Sequence, residues 1–328
     1  MRKHNKMNAK RIAYLCVILV LVLVMILSGL QILESTVFHF GQEPTQPRKT
    51  LIRDGVEYFP RQDITVVMVL GIDRFGAMVP SGSYNNSGAA DMVSLLIFDE
   101  QEKTCNVLCI NRDTMLEMPV LGLGGKYAGT IVQQLALAHT YGTGMEDSCE
   151  NTRTAVSQFL YGIQIDHYIA MNMDAISILN DAVGGVTVTV EDDFSEIDPT
   201  ITMGQLTLKG EQAIHFVRTR KNVDDQTNIS RMRRQEQYMD GFVEAFRAKQ
   251  AQSTAFITET YENVSDYIVS DLSVKAIISL MDRFAEYRVG DVQSLEGQNV
   301  MGDVYFEFYA DEKKLDEAIL SLFYSAKK

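Results

Sequence analysis

The sequence has few of the residues that cross-link small secreted proteins or bind transition metals. Its 328 residues include only four cysteines and five histidines. Cys105 and Cys109 lie four residues apart in a segment typical of a strand, which is too far for them to bridge each other. Cys16 falls in a long apolar run, and Cys149 is isolated. No zinc-ligand spacing surrounds the histidines, so the sequence indicates neither a disulfide framework nor a zinc site.

Basic residues are scarce outside the first eleven positions. The chain has 30 Lys and Arg against 43 Asp and Glu, which gives a formal net charge of -13. Five of the basic residues lie in residues 1–11, and every acidic residue lies at Glu34 or later. The rest of the chain therefore carries 25 basic against 43 acidic residues, a net charge near -18. Nucleic-acid binding needs a net basic surface that neutralises phosphates, so nucleic acid is excluded as a partner.

Several familiar catalytic and phosphate-binding motifs are also missing. There is no G-x-S-x-G elbow, and no Ser or Cys is convincingly paired with a His. The glycine-rich stretch VLGLGGKYAGT lacks the P-loop spacing. We interpret it as a mobile loop at the rim of a site, and a phosphate cradle before a helix is the alternative. The stretch SGSYNNSG at residues 81–88 is expected to form a flexible flap.

A charge-free apolar run occupies residues 12–33 and follows a basic tail at residues 1–11. At ~1.5 Å per residue, a helix of this length spans a hydrocarbon core of roughly 30 Å. The basic flank predicts a cytoplasmic N-terminus and an extracellular C-terminal domain, as in a single-pass protein of the cell membrane. A cleaved signal peptide is the alternative. The run is long for one, and neither an A-x-A-like site nor a lipobox cysteine follows it.

The remainder is predicted to be one large domain behind a short connection. Residues 34–63 read as a linker and a small hairpin with a D-G turn, and residues 64–328 as the extracellular domain. Strands are predicted in ITVVMVL, MVSLLIF and TCNVLCI, and the last two form an antiparallel hairpin. Later strands are IDHYIAMN, VTVTV and DVYFEFYA, and QAIHFVRTR is expected to be short and extended. Helices are NTRTAVSQFLYG, MDAISILNDAVGG and SRMRRQEQYMDGFVEAFRAKQ, the last capped by Asn228 or Ser230. This alternation predicts an α/β/α layered sandwich with a mixed, partly antiparallel sheet.

Three charged residues adjoin the ends of the first three predicted strands. Asp73 follows strand one, Asp91 precedes strand two, and Arg112 follows strand three. If strand two is antiparallel to its neighbours, all three residues meet at one edge of the sheet. Two carboxylates there suit a hard divalent cation that also binds water and phosphate oxygens. The alternative is that each aspartate only caps a turn.

Five arginines crowd into HFVRTRKNVDDQTNISRMRRQEQ, namely Arg218, Arg220, Arg231, Arg233 and Arg234. On an extended segment, Arg218 and Arg220 point the same way. On the following helix, four residues mark the buried stripe: Met232, Met239, Val243 and Phe246. That stripe includes Gln235 and has Arg231 at its edge, whereas Arg233 and Arg234 are expected to lie in solvent.

Inward guanidinium groups need anionic partners, because a buried unpaired charge is very costly. Phosphate oxygens suit the guanidinium fork well. Structural salt bridges to Asp224 and Asp225 are the alternative explanation for the cluster.

Behind one predicted N-terminal span, seven motifs follow in this order: LGID, ADMVSL, INRDT, IDHYIAMN, DAVGGVTVTV, FVRTR and RMRRQ. This ordered set resembles the LytR-CpsA-Psr family of bacterial cell-wall phosphotransferases. The resemblance covers residues 64–247. It implies an α/β/α sandwich with a hydrophobic pocket for a polyprenyl chain. It also implies transfer of a glycopolymer from a polyprenyl-pyrophosphate carrier to peptidoglycan, with formation of a phosphodiester.

By position, the resemblance makes Asp73 and Asp91 ligands of Mg²⁺ (or Mn²⁺), with Asp73, Asp91 and Arg112 as the catalytic residues. The pyrophosphate-binding residues are then Arg112, Arg218, Arg220, Arg231 and Gln235. Catalysis would consist of positioning and charge neutralisation by arginines and metal. Either aspartate could deprotonate the acceptor hydroxyl.

Two positions depart from the family pattern. The family usually has an arginine two residues before the position of Asp91, where this chain has Ala89. It also usually has an aspartate three residues before the position of Arg231, where this chain has Asn228. Asp224 or Asp225 could replace the missing acid.

Two alternatives to the transferase function remain. One is a non-catalytic receptor for a lipid pyrophosphate or glycan, which Ala89 favours. The other is a hydrolase that releases the pyrophosphate to water.

Overall fold

A computed structural model gives the architecture of the chain. It describes residues 50–219, 223, 228–252, 256–273, 276, 287–303 and 305–326. Within these ranges, no helix combines the length and the apolar character that a membrane crossing requires. The predicted tail and anchor at residues 1–33 lie outside the described ranges.

The described chain alternates between strands and helices. The strands are β1 (Leu51–Arg53), β2 (Val56–Pro60), β3 (Ile64–Ile72), β4 (Ala90–Asp99), β5 (Thr104–Ile110), β6 (Met115–Leu121), β7 (Tyr127–Gln134), β8 (His167–Asn172), β9 (Val186–Val190), β10 (Gly204–Leu208), β11 (Ile268–Ser270), β12 (Arg288–Ser294), β13 (Gly297–Met301), β14 (Phe306–Ala310) and β15 (Tyr324–Ala326). The α-helices are α1 (Glu146–Phe159), α2 (Met173–Ala182), α3 (Glu211–Arg218), α4 (Asn228–Gln252), α5 (Phe256–Val264) and α6 (Glu312–Phe323). Short 3-10 helices cover Leu123–Gly125, Leu135–Thr140 and Ser265–Tyr267.

Six strands form the central sheet, in the order β11-β8-β3-β4-β5-β12. β4 pairs antiparallel with β3 and β5, whereas β3–β8 and β5–β12 are parallel pairs. The sheet is therefore mixed, as predicted, and β3, β4 and β5 lie where the apolar runs of the sequence predict strands. The predicted hairpin at residues 51–60 is also present, and β15 extends it. Asp54 and Gly55 have φ of 49° and 77°, as a two-residue type I′ turn requires.

Side chains alternate across the sheet and build one apolar layer on each face. Val67 and Val69 of β3 pack in a cluster with α2, α3, α4, α5 and the β9–β10 hairpin. Val66, Met68 and Leu70 pack in a second cluster with α1 and α6. These strands are buried on both faces, which explains why they are continuous apolar runs. The α/β/α layering predicted from the sequence is confirmed.

The segment before the long helix differs from the prediction. The stretch QAIHFVRTR was expected to be extended, but residues Glu211–Arg218 form helix α3. Its apolar residues at helical spacing are buried, namely Ala213, Ile214, Phe216 and Val217. Burial of this face against the core decides in favour of the helix, which ends at Arg218 with Thr219 already extended (ψ 136°).

Helix α4 begins at Asn228, one of the two residues predicted to cap it, but the side chain that would form the cap lies outside the described part. Phe246 is buried, as predicted, and the buried face continues through Phe242, Tyr238 and Arg234 at intervals of four residues. Arg234 was expected to lie in solvent, and that expectation is wrong. Among the other residues predicted for the buried stripe, the side chains of Met232, Met239 and Val243 lie outside the described part.

The glycine-rich stretch is the tip of a hairpin and not the start of a helix. β6 and β7 pair antiparallel, and the short turn Leu123–Gly125 joins them. Gly124 and Gly125 have φ of 70° and 69° in that turn. Because a strand follows the glycines, no helix N-terminus is present there to hold a phosphate, and the alternative of a phosphate cradle is wrong.

Asn86 anchors the segment at residues 81–88, for which the sequence suggested a flexible flap. Its side chain is buried and donates to the carbonyls of His139 (2.9 Å) and Gly142 (3.0 Å) and to Ser148 Oγ (3.1 Å). Its Oδ1 accepts from the amide of Gly88 at 2.7 Å. These bonds fix the backbone that leads into β4.

His139 lies beneath the same segment and is fully buried. Its Nδ1 donates to the carbonyl of Gly88 at 2.7 Å, and its Nε2 lies 3.9 Å from Sγ of the buried Cys149. Burial is the main reason that the pKa of His139 is lowered to about 4; the charge of Arg74 acts in the same direction, and the bond to Gly88 and the charge of Asp147 act against it. The imidazole is therefore neutral at physiological pH.

We expect Asn86→Ala to lower the free energy of unfolding by about 1–3 kcal/mol, because it leaves several buried backbone groups without partners. Urea denaturation measures the change. Asn85→Ala is the matched control, since Asn85 is the exposed neighbour and its substitution should change stability by under about 0.5 kcal/mol. Equal effects of the two substitutions would contradict the anchoring role of Asn86.

We expect the free energy of unfolding to fall as the pH is lowered from about 6.5 to about 4. In this window the unfolded chain protonates the imidazole of His139 but the folded chain does not, so the unfolded state binds more protons. The contribution of one such group is at most about 1.4 kcal/mol per pH unit. Urea denaturation across this window should give a shallower pH dependence for His139→Gln than for wild type. Parallel curves would contradict the assignment.

Candidate active site

Antiparallel pairing of β4 with both of its neighbours brings three charged residues to one edge of the sheet. Asp73 follows the last residue of β3, Asp91 is the second residue of β4, and Arg112 lies two residues beyond β5. The amide of Asp73 donates to the carbonyl of Ala89 at 3.0 Å, and this bond joins the end of β3 to the start of β4 at this edge. The structure thus brings together the three residues that the strand pattern predicted would meet.

Each aspartate at this edge forms an ion pair with an arginine. Arg112 Nη1 bonds Asp91 Oδ1, and its Nε lies 3.4 Å from Asp113 Oδ1. Arg218 Nη2 donates to Asp73 Oδ1 at 2.9 Å. The four side chains of the two main pairs are 32–49% exposed. Pairs with this much contact with water are weakly held and can exchange partners with an incoming ion.

Arg218 reaches the edge from the last residue of α3, and its basic side chain lies at the negative end of the helix dipole. Its guanidinium carbon lies 5.7 Å from the centre of the Phe75 ring, which is itself half exposed. A cation–π contact and an ion pair to Asp73 together orient the guanidinium group.

The other predicted phosphate-binding residues cannot be placed by their side chains. Arg220 lies outside the described residues. Arg231 and Gln235 lie on α4, but their side chains are outside the described part, as is that of Asn228. Asp224 and Asp225, the possible salt-bridge partners or replacement acids, are also outside it.

Arg233 and Arg234 differ from each other, although both were expected to be solvated. Arg233 is 52% exposed and lies 3.5 Å from Asp192. Arg234 is only 4% exposed, and its Nη1 donates to Asp192 Oδ2 at 2.7 Å. The prediction is wrong for Arg234 because its partner lies 42 residues away, on the segment after β9, where helical periodicity cannot show it.

Three residues near the edge were missed from the sequence. Asp113 contacts Arg112 and accepts from Gln134 Nε2 at 3.0 Å. Phe75 contacts Arg218, and Arg74 donates weakly to the carbonyl of Val79 at 3.4 Å. Asp113 could have been found, because it directly follows Arg112 in INRDT. Nothing in the sequence distinguishes Phe75 from other exposed aromatic residues.

The acidic residues at the edge fit a magnesium or manganese ion that shares its ligands with a substrate. The described residues contain no group of three or more His, Cys, Asp or Glu side chains that could hold a metal ion by themselves. Asp73 and Asp91 supply two hard carboxylates. Mg²⁺ is usually bound by one or two carboxylates, with phosphate oxygens and water completing its octahedron. The donor set therefore suits metal binding together with a phosphate ligand.

Curated proteins with related sequences are named as teichoic acid transferases. The polyisoprenyl-teichoic acid–peptidoglycan teichoic acid transferase TagU of Oceanobacillus iheyensis is 25% identical, and the match covers 95% of this chain and 93% of that protein. The corresponding transferase TagT of Bacillus subtilis is 25% identical, over 80% of this chain and 76% of that protein.

The fold and a family model agree with these sequence matches. A solved structure of TagT bound to LI-WTA superimposes with a TM-score of 0.55 at 23% identity, over 80% of this chain and 90% of that one. The model of the LytR_cpsA_psr family matches residues 38–322, most of the chain. Because this match covers well over half of the chain, the chain belongs to the LytR-CpsA-Psr family.

Proposed function

We propose that this protein is a membrane-anchored phosphotransferase that moves a glycopolymer from a polyprenyl-pyrophosphate carrier to peptidoglycan. The observation that carries the proposal is the meeting of two arginine–aspartate pairs, Arg112–Asp91 and Arg218–Asp73, at one edge of the sheet. Membership of the family and the names of the relatives support the substrate class. The apolar run at residues 12–33 supports the anchor.

Substrate binding exchanges the ion pairs at the edge for contacts with the ligand. The guanidinium groups of Arg112 and Arg218 turn to the pyrophosphate oxygens, which they bind as charge-assisted forks. Asp73 and Asp91 then become available as the protein ligands of Mg²⁺ or Mn²⁺. A metal held by these two carboxylates would neutralise phosphate charge and orient the oxygens.

The chemical step is a displacement at the phosphorus that carries the glycan. The acceptor hydroxyl oxygen forms a new bond to this phosphorus, and the bond to the bridging oxygen breaks. Polyprenyl phosphate leaves with the bridging oxygen, and Asp73 or Asp91 accepts the hydroxyl proton. Arg112 and Arg218 stabilise the charge that develops on the leaving phosphate, which is the main contribution a protein makes in phosphoryl transfer.

A receptor function is the second candidate, and Ala89 is the observation that favours it. The carbonyl of Ala89 accepts from the amide of Asp73, so this position adjoins the carboxylate edge. The family usually has an arginine there. The site therefore has one guanidinium fewer for a negatively charged transition state, although it keeps groups that bind a pyrophosphate.

We expect Arg112→Gln and Arg218→Gln each to lower kcat/KM for the lipid-linked donor by roughly 10–100-fold. Each substitution removes a hydrogen bond to a charged group, worth roughly 1.5–3 kcal/mol. Transfer from a short-chain polyprenyl-pyrophosphate glycan measures the effect.

Arg53→Gln is the matched control for these two variants. Arg53 is 40% exposed and pairs with Asp316 at 2.9 Å, away from the sheet edge. A loss of activity in Arg53→Gln as large as in the other two variants would show that the effect is general and not specific to the site.

We expect Asp73→Asn and Asp91→Asn to abolish metal-stimulated transfer while donor binding is kept or strengthened. Each substitution removes a metal ligand, but it also removes the carboxylate that competes with phosphate for an arginine. Titration of Mg²⁺ in transfer assays and calorimetry of donor binding measure the two effects. Asp316→Asn, which changes the partner of Arg53, is the control and should behave as wild type.

The same assays separate the proposed activity from its alternatives. Transfer that requires both metal and acceptor supports a phosphotransferase. Tight donor binding by the wild-type protein, without turnover under any metal, would support the receptor. Release of polyprenyl phosphate at an equal rate without acceptor would support a hydrolase.

A further inference from the structure

Arg234 is a buried charge that no step of the proposed reaction uses. Its guanidinium is 4% exposed, and all three nitrogens have partners. Nη1 donates to Asp192 Oδ2 at 2.7 Å, Nε donates to the carbonyl of Phe216 at 3.0 Å, and Nη2 donates to the carbonyl of Thr219. Its guanidinium carbon also lies 5.4 Å from the centre of the Phe194 ring.

The two carbonyls that Arg234 binds lie on either side of Arg218. Phe216 is two residues before Arg218, and Thr219 is the residue after it, where α3 has ended. The last carbonyls of a helix have no partner within the helix. A guanidinium there satisfies two such acceptors and places a positive charge at the negative end of the helix dipole.

The side chain of Arg218, in contrast, is half exposed and points to Asp73 at the sheet edge. Its own guanidinium is held by an exposed ion pair and an aromatic contact, which are both weak. The backbone that carries Arg218 is therefore the part that must be fixed, and two hydrogen bonds from the guanidinium group of Arg234 do this. Buried ion pairs are weak evidence for stability but can serve to hold one specific arrangement.

We propose that Arg234 is a positioning residue that acts through Arg218. By binding the carbonyls of Phe216 and Thr219, it sets the end of α3 so that Arg218 reaches the pyrophosphate, and Asp192 orients Arg234. This inference rests on the proposed function for the ligand of Arg218. A lysine cannot replace Arg234, because a single ammonium group cannot reproduce the planar fork that reaches three acceptors.

The test is a double-mutant cycle between Arg234 and Arg218. The probe is a short-chain polyprenyl pyrophosphate, and its Kd is measured by calorimetry on protein that circular dichroism shows to be folded. We expect Arg234→Lys to raise the Kd roughly tenfold in the wild-type background. In the Arg218→Gln background it should raise the Kd less than about twofold, because residues that act as one unit are not additive.

Arg61→Gln is the control for a general loss of buried charge. Arg61 is 15% exposed and pairs with Asp63 and Asp99, before the first residue of β3 and so at the opposite end of that strand. The Arg61→Gln substitution should lower the Tm without changing the Kd for the probe. If Arg234→Lys does not fold, Asp192→Asn tests the same contact and should raise the Kd roughly tenfold in the wild-type background.

Two results would overturn the proposal. One is an equal rise in Kd on adding Arg234→Lys in both backgrounds. The other is that Arg234→Lys lowers the Tm but leaves the Kd at the wild-type value, which is the behaviour expected of Arg61→Gln. If the wild-type protein itself does not bind the probe, the proposed function fails. Hydrogen exchange of residues 215–219 then decides: faster exchange in Arg234→Lys than in Arg61→Gln supports positioning, and equal exchange rejects it.

Discussion

The antiparallel pairing of β4 between β3 and β5 is the constraint on which the candidate site depends. Backbone hydrogen bonds set the register, with Ile72 opposite Ala90 and Val93 opposite Ile110. This register brings the end of β3, the start of β4 and the end of β5 to one edge. A parallel β4 would place Asp91 at the opposite end of the sheet from Asp73 and Arg112. The chemistry therefore depends on strand direction before it depends on any side chain.

Burial on both faces of the sheet makes this edge rigid. The central strands are covered by two apolar clusters, so a slip by one residue would move each side chain to the opposite cluster and disrupt the packing on both faces. Asn86 and His139 add polar contacts beneath the segment that enters β4, at Gly88. An added Cβ at Gly88 would lie 2.9 Å from Ile72 Cγ2, so this close approach of backbone to β3 requires glycine. The backbone that carries the aspartates is thus held by packing on both faces of the sheet.

The arginines of this acidic protein fall into two kinds with different physical roles. Arg112 and Arg218 are about half exposed and face aspartates that a phosphate can replace. Arg234 is enclosed, and its partners are one buried carboxylate and two carbonyls of the chain itself. Exposed pairs are weak and exchangeable, whereas a buried charge is held because removing its partners would leave it unsolvated. Under the proposed function, binding of the ligand and construction of the site therefore fall to different guanidinium groups.

Much of this arrangement could be predicted because it follows from local patterns. Continuous β-branched runs between turn residues predict buried strands, and the short turn between β4 and β5 predicts their direction. Those two features place Asp91 and Arg112 at one edge, and Asp73 joins them once β4 is taken to be antiparallel to β3 as well. The same motifs, in order, identify the family, and the apolar run at residues 12–33 predicts an anchor from hydropathy alone.

Contacts between distant segments decided the rest. The stretch before Arg218 reads equally well as a strand by local pattern, and it became α3 because the core buries Ala213, Ile214, Phe216 and Val217 together. Helical periodicity placed Arg234 in solvent, because a pattern of apolar residues cannot show where a buried charge finds its partners. Those partners are Asp192, 42 residues away, and two carbonyls at the end of another helix. The sequence by itself determined that Asp91 and Arg112 could meet, since the short turn between β4 and β5 makes their pairing local. Only the tertiary structure decided which arginine could be buried, since desolvation of a charge depends on every segment that surrounds it.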